Sequence, residues 1–395
     1  MTPLSLEQAR ECVAVKIEPL APVPVSLADS RGRILREEAR TREDMPAFDR
    51  SAMDGYAVNA EDASARFRIV GEAHPGKRLD FTVRKGECAR IFTGAEIPSG
   101  ASRVLMQEDV RAEDGWMMPD APSPDDHIRR RGEDARAGDS LIESGTRLGP
   151  AEIALLASLG IVKPLTSPLC RTAHFATGDE LVDPAEEPGP SCIRDSNSAL
   201  VRAFVEAHWG LLVDQERVAD DAELLAEKAR LAMAGCDLLL ISGGASAGAY
   251  DFGRTALEQL GFQIHFEKLN LRPGKPLAFA TRGRHAAVVL PGNPLSHLTA
   301  LHCVARVAFE RMAGAVPEWR VLNTRLRTGF RVGGDGRDTL WPARVGLEEG
   351  EPVVEGLHWR SSGDITGMAG INAFIRCATP VLDTGARVPC ILLHG

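Results

Sequence analysis

The sequence predicts a multidomain α/β plus β protein with a doubly wound α/β domain in its second half. Between residues 168 and 315, apolar runs alternate with amphipathic helical patterns, which is typical of a sheet with helices on both faces. Six of these runs predict strands: RTAHFATG, LLVDQERVA, DLLLISGG, FQIHFEKL, PLAFAT and AAVVLPG. On either side, at 67–142 and beyond 316, the runs are short, alternating and divided by Gly and Pro, as in small β units. At 395 residues the chain is long for one domain, so we expect two to four compact units.

The N-terminal third predicts few long elements. Residues 5–16 have the pattern of a short amphipathic helix, residues 23–35 that of extended chain, and residues 149–159 that of a second helix. A polar, turn-rich arm at 41–57 has neither the helical nor the strand period of apolar residues. It can be a surface loop between domains, or a lid that brings its acids into a site, including one on another subunit. The run from 67 to 142 predicts a small antiparallel β unit.

Composition excludes several classes of protein. The formal net charge of −9 is the opposite of what a general nucleic-acid binder needs. No apolar run approaches the roughly 20 residues of a membrane span, and no secretory leader is visible, so no membrane or nucleic-acid partner is expected. Eight cysteines are scattered without metal-ligand spacing, which favours reduced thiols in the cytoplasm. His297 and His302 are five residues apart in an apolar helical segment and do not share a face as ligands four apart would, so they are expected as structural or surface residues.

The segment DLLLISGGASAGAYDF at 237–252 is the most informative stretch. An apolar strand runs into a glycine-rich loop that closes at Asp251, and it lacks the lysine of the common nucleotide cradle. Such a loop lets backbone N–H groups approach an anion, with Asp251 placed to hold a divalent cation. A tight turn from strand to helix explains the same pattern, and the segment alone does not choose between them.

Polar residues follow four predicted strands of the α/β domain, so their loops should meet at one edge of the sheet. Asp195 and Asp221 suit helix N-caps, whereas the remaining acids and the nearby cations predict a site for an anionic ligand. The loops are 177–180, 220–221, 242–251 and 291–296, and the cations are Lys268, Arg272 and Lys275.

Taken together, these motifs resemble the MoeA family of molybdopterin molybdenumtransferases, to which the E domains of gephyrin are similar. The resemblance extends over the whole chain, and the motifs stand in family order. They are DMPAFDRSAMDGYAV (44–58), IFTGAEIP (91–98), GED (132–134), ATGDEL (176–181), DSNSAL (195–200), ISGGASAGAYDF (241–252), LRPGKPLAFA (271–280) and VLPGNPLS (289–296).

The resemblance implies an elongated homodimer of four-part subunits with the active site between subunits. It implies molybdenum cofactor biosynthesis: molybdate and adenylated molybdopterin as substrates, AMP released, Mg²⁺ required, and the molybdopterin adenylyltransferase and other pathway proteins as partners. The implied parts are a helical and extended linker domain (1–45 with 140–167), an inserted β domain (46–139), a molybdopterin-binding α/β domain (168–315) and a C-terminal β-barrel-like domain (316–395).

Site residues carried over by the resemblance fall into three groups. Catalytic roles fall on Asp54, Asp134, Glu180, Asp220, Asp251, Lys268 and Arg272. Substrate-binding roles fall on Thr93, Ser242, Gly243, Gly244, Lys275, Pro291, Pro294, Ser296 and Arg344, with a weaker match at Ser361 and Ser362. The metal ligands would be Glu180, Asp220 and Asp251. Arg272 stands where lysine is frequent in the family; it keeps the charge in a rigid fork.

Three other functions compete with this interpretation. The adenylyltransferase of the same pathway resembles only 168–315 and needs none of the other parts. A non-catalytic scaffold could dispense with the acids that this chain retains. A generic Mg²⁺-dependent phosphotransferase is weakened by the missing Walker motif.

Overall fold

The computed structural model describes residues 2–120, 124–243, 252–333 and 336–393. It divides into two compact units. The first consists of Met1–Arg36, Gly145–Pro150 and Lys163–Gly395, and the second of Glu37–Ser144 and Ala151–Val162. The helices are α1 Leu6–Lys16, α2 Pro150–Ser158, α3 Ser196–Ala207, α4 Ala222–Ala232, α5 Phe252–Gln259, α6 Pro294–Ala300 and α7 Arg306–Ala313, with a π-helical stretch Leu301–Ala305 between the last two.

Strands of four residues or more are numbered here in chain order. In the second unit they are β1 Gly55–Val58, β2 Phe67–Ala73, β3 Glu87–Ile91, β4 Arg103–Met106, β5 Val110–Glu113 and β6 Trp116–Pro119. In the first unit they are β7 Cys170–Thr177, β8 Gly210–Val218, β9 Leu238–Ser242, β10 Gln263–Lys268, β11 Pro276–Arg282, β12 His285–Leu290, β13 Val321–Leu326, β14 Asp338–Glu348, β15 Glu351–Gly356, β16 Ala373–Cys377 and β17 Arg387–Leu392.

Shorter strands form small ladders outside the main sheets. Antiparallel pairs join Val23–Pro24 with Leu165–Thr166, Ala39–Arg40 with Ser140–Ile142, Arg50–Ser51 with Ile128–Arg129, and Phe330–Arg331 with Val381–Leu382. Leu181–Val182 pairs in parallel with Ile193–Arg194, and Leu271–Arg272 in parallel with the start of β14.

The two predicted helices outside the α/β domain are confirmed. Ser5 and Gln8 form a reciprocal capping box at the start of α1, which satisfies two of the free N–H groups of a helix N-terminus. The predicted helix at 149–159 is α2.

The central sheet of the first unit has the order β8-β7-β9-β12-β11-β10. The first four strands are parallel, whereas β11 and β10 join antiparallel at the other edge. The sequence predicts all six strands, but alternation with helices does not predict the antiparallel edge: no helix separates β10, β11 and β12, and short connections favour antiparallel neighbours.

Side chains of β9 alternate between two hydrophobic cores, one on each face of the sheet. Leu238 and Leu240 pack with α1, α3, α6 and α7, while Leu239 and Ile241 pack with α4 and α5. A strand buried on both faces needs apolar residues at every position, which is why β9 reads as a continuous apolar run. The doubly wound arrangement is confirmed.

The C-terminal strands close into a five-stranded barrel. Following the pairs, β14 joins β15, β15 joins β13, β13 joins β17, β17 joins β16, and β16 returns to β14. All these pairs are antiparallel except β13 with β15. Closure leaves no free sheet edge, and the interior is filled by its own hydrophobic core. The predicted barrel-like C-terminal fold is confirmed.

The second unit contains a six-stranded sheet of order β4-β1-β3-β2-β6-β5. Its expected antiparallel pattern is wrong in one place: β2 and β3 are parallel, which the connection of residues 74–86 is long enough to allow. The arm is expected to be irregular, but its last residues begin strand β1. This strand is buried and pairs with β3 and β4. Only glycine fits at Gly55, where a Cβ atom would lie 1.9 Å from the carbonyl oxygen of Leu105.

Three further expectations concern the cysteines, two histidines and membrane-spanning helices. All eight cysteines are free. His297 and His302, expected as structural or surface residues, are both buried in the helical segment that covers the sheet. Among the described ranges, no helix has the length and apolar character that a membrane crossing requires.

Candidate functional site

The four parallel strands of the central sheet end level with one another. Thr177 pairs with Val218, Ala176 with Ser242, and Ser242 with Leu290, so the loops that follow begin at one edge. A cleft of about 1020 Å³ lies there. Its lining includes the predicted residues Glu180, Asp220, Ser242, Gly243, Arg272, Lys275, Pro291, Pro294, Ser296, Ser361 and Ser362. The predicted meeting of the strand-end loops is therefore confirmed for the residues of these loops that the structure describes.

Close backbone approach shapes the floor of the cleft at Gly243. This residue has φ +89°, and a Cβ atom there would lie 2.5 Å from the carbonyl oxygen of Thr177. Its N–H donates to the carbonyl of Leu290 at 3.1 Å, which ties the end of β9 to the end of β12. A side chain is therefore excluded where two strand ends converge.

Acidic groups crowd together on the loops after β7 and β8. Burial, followed by repulsion from Asp179 and Glu180, raises the pKa of Asp220, whose backbone N–H donates to Asp179 Oδ1 at 3.2 Å. Carboxylate oxygens are the ligands that Mg²⁺ prefers. In the part of the chain that the structure describes, no group of three acidic, His or Cys side chains forms a metal site. The third proposed ligand, Asp251, lies outside the described residues, as does Gly244.

Cations line other parts of the cleft. The guanidinium of Arg272 donates from Nη1 to the carbonyl of Gly333 at 3.1 Å and lies 5.0 Å from the ring centroid of Trp359. Lys275 directly follows the turn of Pro273 and Gly274 and lines the cleft. The guanidinium of Arg272 is thus held at its edge by the Gly333 carbonyl and on its face by the Trp359 ring. A lysine ammonium could not reproduce both contacts.

The Pro-Gly-Asn-Pro turn is held to the C-terminal barrel region and to α3. Asn293 Nδ2 donates to Ser362 Oγ at 3.0 Å, and the Leu295 N–H donates to the Ser362 carbonyl at 3.2 Å. Asn197 Nδ2 donates to the carbonyl of Gly292 at 2.7 Å. Segments from two other parts of the sequence therefore fix this turn at the cleft.

In the second unit, Asp54 and Thr93 form one cluster. Asp54 Oδ1 accepts the backbone N–H and the hydroxyl of Thr93, each at 2.7 Å. These bonds, with a smaller contribution from Arg90, lower the pKa of Asp54. Asp134 forms an ion pair with Arg129. Asp54 is therefore an exposed carboxylate held in its ionised form.

Two residues of the first unit that the sequence assigns to the site do not line the cleft. Lys268 ends β10 and Arg344 donates to the carbonyl of Gly370 at 3.1 Å; neither is among the cleft-lining residues. Several lining residues have no role that the sequence predicts. DSNSAL already contained Asn197, whereas no local pattern marked the others: Arg194, Arg337, Trp359 and Arg360.

Two family profiles match the chain. The profile described as the MoeA N-terminal region (domain I and II) matches residues 4–160. The profile described as a probable molybdopterin binding domain matches residues 173–311.

Individual proteins with known names agree with the profiles. A molybdopterin molybdenumtransferase of a Nostoc species is 34% identical over 88% of this chain and 83% of its own length. Another from Haemophilus influenzae is 34% identical over 80% of this chain and 79% of its own length. The crystal structure of a molybdopterin biosynthesis MoeA protein from Pyrococcus horikoshii superposes with a TM-score of 0.83 at 29% identity and covers 100% of both chains.

Proposed function

Because this chain belongs to the molybdopterin molybdenumtransferase family, we propose that it transfers molybdenum from molybdate to adenylated molybdopterin, with release of AMP. The observation that carries the proposal is the strand-end cleft, where glycine turns, carboxylates and cations meet. Both substrates are anions, and a cleft that combines backbone approach with Arg and Lys suits an extended anionic ligand.

Different residues of the cleft are proposed to bind the phosphates and to bind molybdate. Ser242, Gly243 and the turn of Pro291 and Pro294 line the surface for the phosphates of the adenylated substrate. Arg272, Lys275 and Ser296 attract molybdate and neutralise the negative charge that develops as the phosphoanhydride breaks. The hydrogen bond of Arg272 to Gly333 keeps its fork oriented before substrate arrives.

The proposal includes a divalent cation at the acidic side of the cleft. Burial, followed by repulsion from Asp179 and Glu180, raises the pKa of Asp220, and a bound cation would relieve that repulsion. Glu180 and Asp220 would hold Mg²⁺ together with Asp251, and the ion would neutralise charge on the pyrophosphate when bound.

The resemblance also carries proposals for residues outside the cleft lining. Asp54 is proposed to act as a carboxylate that orients a reacting group, with Thr93 holding it, and Asp134 as a further acid of the site. Lys268 and Arg344 are proposed as additional cations for the anionic substrates. The low pKa of Asp54 supports its role, since it keeps the carboxylate ionised.

The proposal extends to the setting of the reaction. It includes a homodimer of four-part subunits in the cytoplasm, supplied with adenylated molybdopterin by the molybdopterin adenylyltransferase. Light scattering of the purified protein tests the dimer, and a mass near that of one chain would contradict it.

The test of the function is release of AMP from adenylated molybdopterin by the purified protein. We expect release that depends on molybdate, and loss of it in Lys275→Ala and Asp220→Ala. Arg68→Ala is a matched control, because Arg68 forms an exposed ion pair with Glu87 in the second unit. Release of AMP at the wild-type rate in both cleft variants would reject the proposed site.

The adenylyltransferase alternative is not favoured, because the named relatives match most of this chain rather than 168–315 alone. Incubation with molybdopterin and ATP separates the two functions. Transfer of AMP to molybdopterin would support the alternative, whereas its absence alongside molybdate-dependent AMP release supports the proposal.

A further inference from the structure

A chain of hydrogen bonds, exposed at Arg202 and buried at Ser242, leads from the surface of α3 to the floor of the cleft. Arg202 Nη2 donates to Gln215 Oε1 at 2.8 Å, which turns the amide nitrogen of Gln215 inward. That nitrogen donates to the carbonyl of Ser198 at 2.9 Å and meets His174 Nδ1 at 3.0 Å. The amide orientation is therefore set by three contacts, and Nδ1 of His174 is an acceptor.

The position of the imidazole follows from the sheet register. His174 lies opposite Gln215 on β8 and opposite Leu240 on β9, and it is fully buried. Ser242 is two residues beyond Leu240, so its side chain lies on the same face. His174 Nε2 lies 2.6 Å from Ser242 Oγ.

The proton positions in this series of hydrogen bonds follow from the role of His174 Nδ1 as an acceptor. A neutral imidazole has one N–H, and because Nδ1 accepts from Gln215, the hydrogen is on Nε2 and donates to Ser242 Oγ. Burial, with a smaller contribution from His297, lowers the pKa of His174 to about 3, so the ring stays neutral. The groups that face it are Gln215 from β8, Ser242 from β9 and His297 from α6.

The hydroxyl hydrogen of Ser242 does not point at His174, because Ser242 Oγ is the acceptor in that contact. Within the described ranges no acceptor for it is recorded, and Ser242 lines the cleft. A serine hydroxyl that already accepts a strong hydrogen bond is a better-oriented donor than one free to rotate.

We propose that His174 is a positioning residue: its Nε2–H holds Ser242 Oγ as an acceptor, so that the Ser242 hydroxyl donates into the cleft to an anionic oxygen of the bound substrate. The inference rests on the proposed function, because it takes the cleft to be the substrate site. His174 itself does not touch the substrate. Its role is to make Ser242 a donor, which favours an oxyanion at that point over a group that can only donate.

A double-mutant cycle in the full-length protein tests the coupling. His174→Leu and Ser242→Ala should each raise KM for adenylated molybdopterin about tenfold, the effect of losing one hydrogen bond to a charged group. The double variant should show the same tenfold rise, because His174 acts through Ser242. His174→Gln retains an N–H near the position of Nε2 and should restore KM to within about threefold of wild type.

Thr172→Val is the matched control for burial on the same strand. Thr172 is buried on the face that holds His174, and its hydroxyl donates to the Cys170 carbonyl rather than toward the cleft. It should lower stability without changing KM. A KM rise of about a hundredfold in the His174→Leu, Ser242→Ala double variant, or no rescue by glutamine, would overturn the proposal.

The tautomer of His174 can be measured in the wild-type protein without substrate, and a variant serves only to identify the signal. In wild-type protein labelled with ¹⁵N-histidine, with His174→Gln identifying the signal, we expect a neutral ring protonated at Nε2 between about pH 5 and 8. A ring protonated at Nδ1, or one that titrates in this interval, would overturn the inference. Failure of wild type to release AMP would instead reject the proposed function, whatever this spectrum shows.

Discussion

Asp54 Oδ1 accepts two hydrogen bonds from a single residue, Thr93, one from its backbone N–H and one from its hydroxyl, each at 2.7 Å. Asp54 belongs to the end of the arm and Thr93 to the turn after β3, so the sheet of the second unit brings two separate motifs together. Both bonds favour the ionised carboxyl.

Replacing Thr93 should therefore raise the pKa of Asp54. Thr93→Val removes the hydroxyl bond and leaves the backbone N–H, so the pKa should move part of the way toward its ordinary value. Thr93→Ser keeps the hydroxyl and should leave the pKa unchanged. Carboxyl titration by NMR measures the difference, and an equal pKa in all three proteins would refute the assignment.

Asp220 and Asp221 are neighbours with different roles, and alanine at each should separate activity from stability. Asp221 caps α4 by accepting the N–H groups of Glu223 and Leu224, so Asp221→Ala should cost about 1 kcal/mol of unfolding free energy and leave turnover unchanged. Asp220→Ala should lower turnover at least about a hundredfold, the size of loss found when a group that stabilises a transition state is removed.

The stability of the Asp220 variant follows from the sign of its pKa shift. The folded-state pKa is raised, so the protein binds this proton more tightly than the unfolded chain does. That contribution is fully present below the unfolded pKa and is lost as pH rises through the folded pKa. Near neutral pH, Asp220→Ala should therefore unfold no more easily than wild type in urea. A loss of stability equal to that of Asp221→Ala would contradict this.

Gly243→Ala should be markedly destabilising because of the close carbonyl of Thr177. Gly261 is a matched control with φ +75° and no atom within 4 Å of an added Cβ. Gly261→Ala should cost about 1 kcal/mol for the left-handed conformation alone. Gly243→Ala should cost about 1–3 kcal/mol more for the collision, measured by urea denaturation. Equal losses would mean that the strand ends move apart to accept the methyl group.

A conservative replacement of Arg272 should weaken the binding of molybdate, whereas a conservative replacement of Trp359 should not. Arg272→Lys keeps the charge but loses the fork that reaches Gly333, and should raise KM for molybdate about three- to tenfold. Trp359→Phe keeps an aromatic face, and Trp359 Nε1 has no partner among the described residues, so its KM should stay close to wild type. A KM rise in Trp359→Phe as large as in Arg272→Lys would contradict this ranking.

Local pattern determined much of this protein. The helices α1 and α2, all six strands of the central sheet and the convergence of their loops follow from hydrophobic period and from the rule that parallel strands end at one edge. Asp221 is identified as an N-cap by its residue type and position alone. These features depend on neighbours within a few residues, which the sequence displays directly.

Only tertiary structure decided the rest, because it depends on contacts between residues far apart in the chain. The barrel closes through β14 and β16, the sheet of the second unit buries β1, and Ser362 and Trp359 reach a cleft built mainly from residues 176–296. The contact of His174 with Ser242 joins two strands at one register, which no spacing in the sequence displays. Packing of whole elements selects such contacts, and their physical cause lies in the assembled core.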